Sequence, residues 1–233
     1  MVLLQEIKCK SCDFRSTDYK LYLNPAEICY IHGTGILIRK ELVDEYQVQP
    51  VCLDGHPEEG RIQMITNKTN FTIINVYVPN SGVDRKQPLR RLDYRLEQWD
   101  PDFQRFINNL KAMQGDVILG GDLNVAHRDY DVHDPRVLKG RAGFTDGERQ
   151  NFSKMLDSGF TDMWDHLYPD SRGNDRFTFN TGWRLDYFLF NDNHKFCIDE
   201  MKILLDYCTS DHYPLMMVGS ENPPMEDFLV TKA

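Results

Sequence analysis

No apolar run in the chain approaches the roughly 18 residues that a membrane-crossing helix needs. The opening stretch meets Glu6 and Lys8 before it can build the apolar core of a secretory signal. Secretion and a membrane partner are therefore not expected, and an intracellular location is: the nucleus in a eukaryote, the cytoplasm otherwise. Cysteine is sparse. Cys9, Cys12, Cys29, Cys52, Cys197 and Cys208 lack the dense spacing of a disulfide-stapled domain and read as reduced thiols. Cys9 and Cys12 form one C-x-x-C, but a structural zinc site takes about four ligands and no second pair supplies the rest, so the spacing reads as chance. Without secretion, the glycosylation sequons at Asn67, Asn70 and Asn151 carry no meaning. Internal repeats, low-complexity tracts and linker-like shifts of composition are absent too. So is any excess of positive charge, since 27 Lys and Arg against 36 Asp and Glu leave a net charge of −9. Binding to nucleic acid draws largely on cations that neutralise phosphates, yet net charge does not set local potential. Arg85, Lys86, Arg90, Arg91 and Arg95 form one basic stretch, whose ordinary reading is a solvated helix face.

What remains is an ordinary globular composition, 41% hydrophobic and 27% charged over 233 residues. It is long enough for one large core, so a single domain over residues 1–233 is expected. Short β-branched or aliphatic runs predict strands at Val2–Leu4, Gly35–Ile38, Arg61–Thr66, Phe71–Val78, Asp116–Leu119, Leu185–Phe190 and Leu215–Val218. Between Pro88 and Met113, apolar residues recur at three- and four-residue steps, which predicts an amphipathic helix kinked at Pro101. Thr145 and Glu148 match a capping box, so a second helix starts there and buries Phe152, Met155 and Leu156. Many short strands with few helices indicate an α/β sandwich of packed sheets.

The chemistry-bearing residues gather at predicted strand ends. Gly120-Gly121-Asp122-Leu123-Asn124 follows Val117-Ile118-Leu119, and polar groups two apart face the same way. Asp122 there could take a proton from water that Asn124 orients, or the pair could close an Asx turn. Ser210-Asp211-His212 precedes the Leu215 run, and His212 is the side chain type that most readily changes charge near neutrality. A carboxylate holding its ring would suit it to stabilise charge on a phosphoryl oxygen; a capped turn with a satisfied histidine is the plainer alternative. Asp186 starts one strand and Glu6 ends another. Magnesium usually takes one or two protein carboxylates, and Glu6 is the best ligand candidate, with an ordinary surface glutamate as the alternative. In Asn75-Val76-Tyr77-Val78-Pro79-Asn80, strand alternation puts Asn75, Tyr77 and Pro79 on one face and Asn80 in the turn. Phenol and amide groups suit phosphate contacts, whereas a strand tyrosine is more often half-buried packing.

Six motifs occur in order: L-L-Q-E-I-K-C, N-V-Y-V-P-N, G-G-D-L-N-V-A-H, A-G-F-T-x-x-E-R, W-R-L-D-Y-F-L and S-D-H-Y-P. In this the chain resembles the exonuclease III-type apurinic/apyrimidinic endonucleases, from about Val2 to Val218. The resemblance implies a four-layered α/β sandwich with two packed, mainly antiparallel sheets flanked by helices. It implies a magnesium-dependent nuclease, with manganese as a substitute ion, that acts as a monomer on duplex DNA containing abasic sites. Glu6 would bind the metal with Asp211 as a supporting or alternative metal-site carboxylate. Asp122 would activate water, Asn124 position it, and Asp186 support His212, while Tyr77 and Asn80 contact the phosphate. Phe179, Trp183 and Leu185 would line a pocket for the base-less sugar, and Arg85 would reach into the duplex.

The chain departs from that pattern twice. Family members begin with a strand carrying a W-N-x-N-G-like motif and this sequence starts after it, so a missing first strand and an exposed sheet edge are expected. The segment between Phe179 and Trp183 is also shorter than in many relatives. Two rival readings follow: a truncated product that keeps only a partner- or nucleic-acid-binding surface, and a retroelement endonuclease of the same fold.

Overall fold

Eleven strands and five short or medium α-helices build the computed structural model, which describes residues 1–28, 31–68, 71–82, 87–191, 196–207 and 210–221. The strands are β1 (Val2–Gln5), β2 (Tyr19–Asn24), β3 (Thr34–Arg39), β4 (Tyr46–Val51), β5 (Ile62–Asn67), β6 (Thr72–Tyr77), β7 (Val117–Asp122), β8 (Phe160–Asp162), β9 (Asp186–Asn191), β10 (Phe196–Ile203) and β11 (Leu215–Glu221). Six of them form the central sheet in the order β4-β5-β6-β7-β9-β8. Only β6 and β7 run parallel within it; the other neighbours are antiparallel. All seven runs predicted from the sequence are strands, with ends displaced by a residue or a few. Four further strands, β2, β4, β8 and β10, were not predicted.

One face of the central sheet carries the largest core. Ile74, Val76, Val117, Leu119 and Leu189 pack there against Phe103, Ile107 and Leu110 of α2 (Asp100–Gln114) and Phe152 and Met155 of α4 (Asp146–Asp157). The other face is covered by a second layer in two pieces. Strands β1-β3-β2 pack on Ile65 and Ile73, and the β10-β11 hairpin packs around Ile118 and Phe190. Among the described residues β1 pairs only with β3, and β11 only with β10, so each presents an open edge. The result is the expected sandwich of packed sheets flanked by helices.

The helix predicted over Pro88–Met113 begins later, at α1 (Leu92–Tyr94), passes through a π-helical turn at Arg95–Trp99 and continues as α2. Pro101 falls in the first turn of α2, where its missing N–H is tolerated, and in the turn before it the Asp100 amide donates to the Arg95 carbonyl five residues back. The widened turn lies just before Pro101, where the sequence predicts a kink, and both Arg95 and Trp99 are buried in it. Arg95 is therefore buried, not part of a solvated basic face. Arg90 stays exposed, and half-buried Arg91 pairs with Glu59. The capping box at Thr145 forms as expected: its hydroxyl accepts from the Glu148 amide, and the Glu148 carboxylate accepts from the Thr145 amide. Short helices α3 (Pro135–Leu138) and α5 (Met163–Leu167) are each capped by an aspartate, Asp134 and Asp162. Among the described residues no helix is long and apolar enough to cross a membrane.

Candidate active site

The ends of β6, β7 and β9 meet at one margin of the central sheet. The register pairs Tyr77 with Asp122 and Asp122 with Asp186, so three strands deliver a phenol and two carboxylates side by side. Two glycines permit the close approach. At Gly121, with φ +142°, an added Cβ would lie 2.0 Å from the Val76 carbonyl oxygen, and at Gly120 it would press on Leu3 and Phe188.

Around these three residues the remaining candidates assemble through direct contacts. Tyr77 donates its hydroxyl to Glu6, which lies just past β1 and takes an ion pair from Lys8 at 2.5 Å. Burial opposes ionisation of Glu6, but Lys8 and the Tyr77 hydroxyl outweigh it and hold the carboxyl below its usual range. The same arrangement raises the pKa of Tyr77, first through burial and then through the Glu6 charge. His212 Nδ1 lies 2.8 Å from Asp186 Oδ2. Burial acts to lower the histidine pKa, yet Asp186, with Asp122 and Asp211 behind it, lifts it to about 9. Asp122 moves the other way for a carboxylate's charge: burial, then the Asp186 carboxylate, raise it to about 7.

Asn124 occupies the left-handed region at φ +48°. Its side-chain amide donates to Asp122 Oδ2 at 3.0 Å and to the Val78 carbonyl at 2.9 Å, and its backbone amide donates to Asp122 Oδ1 at 2.8 Å. Asn80, exposed in the turn after β6, donates to Asn124 Oδ1 at 2.9 Å. Asn75 does not join this group. It is fully buried and ties the layers together, donating to the Leu4 and Gly35 carbonyls and accepting from Gln5.

On the opposite side Phe179 meets His212 edge to face, with ring centroids 4.9 Å apart. The Phe179 and Thr178 amides both donate to the Trp183 carbonyl, closing a tight hairpin. Thr178 Oγ1 accepts from the amides of Leu185 and Asp186. Leu185 is buried, and half-buried Trp183 packs edge-on against Phe144. Asp211 is exposed and accepts from Ser210. Arg85 lies outside the described residues.

Beneath this hairpin sits a set of charges that the sequence did not single out. Arg184 grips Asp162 through both terminal nitrogens, at 2.5 and 2.8 Å, and Arg176 donates to Asp131 and Asp165. Arg176 and Arg184 are among the most deeply buried side chains described. The clue in the sequence was Arg184 inside W-R-L-D, between Trp183 and Leu185. Neither spacing nor charge reveals that it points inward.

Among the described residues no group of three or more His, Cys, Asp or Glu side chains is gathered as a metal site. Glu6 offers a carboxylate oxygen, the kind of ligand a hard divalent cation takes alongside water and phosphate. Glu6 is held ionised with the Lys8 ammonium already standing against it, so its surroundings accept a cation.

The sequence profile of the Endonuclease/Exonuclease/phosphatase family matches residues 1–212. An exodeoxyribonuclease of Bacillus subtilis is 33% identical over 231 residues, covering 94% of this chain and 87% of that protein. A DNA-(apurinic or apyrimidinic site) endonuclease of Dictyostelium discoideum is 34% identical over 240 residues, or 95% of this chain and 63% of that protein, so the match spans less than two thirds of the longer relative. Of solved structures, the AP endonuclease LMAP of Leishmania major superposes with a TM-score of 0.79 at 24% identity, covering 95% of this chain and 78% of that one. The 3′-5′ exonuclease NExo of Neisseria meningitidis gives 0.76 at 21% identity, covering 95% and 88%. These two likenesses establish the fold.

Proposed function

The chain belongs to the Endonuclease/Exonuclease/phosphatase family, and from that premise we propose that it is a DNA repair nuclease that hydrolyses the phosphodiester 5′ to an abasic site in duplex DNA. The cut leaves a 3′-hydroxyl, and 3′-exonuclease or 3′-phosphodiesterase activity is the secondary reaction of the same site. One observation carries the reading. Glu6, Tyr77, Asp122, Asn124, Asn80, Asp186 and His212, from segments far apart in sequence, form one continuous network at a single sheet margin.

The parts divide the work. Asp122, with a pKa near 7, is poised to take a proton from water. Asn124, bonded to that carboxylate, orients the water. His212 carries its proton at neutral pH, because Asp186 holds the ring, and so presents positive charge where a phosphoryl oxygen gains negative charge. Tyr77 and Asn80 contact the phosphate. Glu6, supported by Asp211, holds magnesium or manganese, and the ion when bound polarises the phosphate and offsets its charge. Phe179 packs edge to face on His212 and, with Trp183 and Leu185, lines the pocket for the base-less sugar. A nucleotide that has already lost its base swings out at little unstacking cost, which favours that substrate over an intact one. The working unit on duplex DNA is a monomer.

The test is cleavage of a duplex bearing one tetrahydrofuran abasic analogue, with magnesium and with chelator, beside an undamaged duplex. Magnesium-dependent incision at the analogue alone is expected. Equal cutting of both duplexes, or cutting in chelator, would overturn the assignment.

A further inference from the structure

Asn124 is the only non-glycine residue among those described, apart from Glu6 and Lys8, with a positive φ, and such backbone persists only where its surroundings over-determine it. What surrounds it is a buried ion pair. Arg95, turned inward by the π-helical turn, donates to the Asn124 carbonyl at 2.6 Å and the Leu123 carbonyl at 2.8 Å. The same guanidinium donates to Glu148 Oε1 at 3.1 Å, and both side chains are almost fully excluded from solvent.

Glu148 in turn gathers two more segments. Its Oε1 accepts from Ser81 Oγ at 2.6 Å and the Gly143 amide at 3.0 Å, and its Oε2 accepts from the Thr145 amide and hydroxyl. Ser81 follows Asn80 directly. Gly143 has φ +81°, and an added Cβ would press on the Asn124 carbonyl at 3.3 Å. One ion pair therefore ties the Asn80 turn, the Leu123–Asn124 turn and the loop that enters α4.

A buried ion pair is weak support for stability, because desolvation consumes much of its attraction and apolar side chains of similar volume often serve as well. Apolar side chains could not bond two adjacent carbonyls at a left-handed residue. We propose that Arg95 and Glu148 are positioning residues, a buried clamp that sets the backbone of Asn124 and so fixes its hydrogen bonds to Asp122 and Asn80. The proposal rests on the reading of Asp122 and Asn124 as the pair that activates water; neither clamp residue touches the reacting atoms.

Arg95→Lys keeps the charge beside Glu148, but a single ammonium cannot reproduce the planar fork that spans both carbonyls. Glu148→Gln keeps an acceptor oxygen for Ser81 and Arg95. In the full chain, the single-turnover rate on the tetrahydrofuran duplex is expected to fall at least tenfold in Arg95→Lys and less in Glu148→Gln. The Kd for the duplex in chelator should stay within twofold, with rates counted per folded molecule. Hydrogen exchange of asparagine side-chain amides in selectively labelled protein supplies the second readout. Protection of Asn124 should be lost in Arg95→Lys, while that of Asn75, bonded between the layers, should persist. Equal loss at both amides would mean general loosening and would overturn the clamp, as would an unchanged rate with unchanged Asn124 protection. If the wild-type chain does not cut, the nuclease assignment fails, and the exchange comparison still decides whether Arg95 holds Asn124.

Discussion

Asp122 and Asp186 stand directly opposite one another in the antiparallel β7–β9 ladder. Like charges so placed disfavour each other, and the outcome is asymmetric. Asp186 is bonded to His212, while Asp122, buried and facing that charge, has its pKa raised from 3.8 to about 7. In the proposed mechanism, Asp186 orients a histidine and Asp122 serves as the base.

Replacing the base tests this division. Asp122→Asn keeps the size of the side chain and removes its proton affinity. Cleavage of the abasic duplex should fall about 10²- to 10⁴-fold, the usual weight of general-base catalysis, with duplex binding within a few-fold of wild type. Single-turnover kinetics with a separate binding assay would show it, and undiminished cleavage would refute the role of Asp122.

The Asp186–His212 bond predicts a pH dependence. His212 titrates at about 9 in the folded chain against an ordinary value of 6.5. A raised folded value means that the protonated ring stabilises the fold fully below about pH 6.5, and that this contribution is lost as pH rises through about 9. In Asp186→Asn the midpoint should drop toward 6.5, and the fall of melting temperature between those pH values should flatten. Histidine resonances followed by NMR in metal-free protein give the answer; a midpoint still near 9 would exclude Asp186 as the cause.

Glu6→Gln should raise the magnesium concentration for half-maximal cleavage at least tenfold, since a neutral amide is a poorer ligand for a hard cation. Lys8→Met should shift it the other way, because the Lys8 ammonium competes for the same carboxylate. Magnesium titrations of the cleavage rate read both effects, and an unchanged requirement in Glu6→Gln would remove it from the metal site.

Two glycines with positive φ should behave very differently. Gly121→Ala, whose Cβ would lie 2.0 Å from a backbone oxygen, should give no soluble folded protein. Gly140→Ala has φ +80° and open space around it, so it should cost about 1–2 kcal/mol and lower the melting temperature by a few degrees. Expression and thermal denaturation separate the two.

The strands that carry the site were legible because apolar runs end there in paired polar residues, as at Leu119 before Asp122. Strands β2 and β4 were not. Tyr19–Asn24 and Tyr46–Val51 lie at the edges of their sheets, where polar residues and Pro50 dilute the apolar signal. Charge was the other blind spot. Arg95 read as part of a solvated helix face, and nothing in the sequence marked Arg176 or Arg184 as buried, because charged side chains are seldom buried unless paired and their partners Glu148, Asp131 and Asp162 are brought to them only by the folded chain. The cluster of candidate residues could be anticipated; the buried ions beneath it could not.

Glu6 follows β1 and His212 precedes β11, so in synthesis the glutamate emerges well before the histidine. A ribosome releases about 5–20 residues per second, which leaves an interval in which the carboxylate at β1 exists without the histidine that must face it. Until β11 emerges and pairs with β10, a nascent chain has no formed support for His212 beside Asp186, and the proposed site stays incomplete for as long as synthesis of that segment is pending.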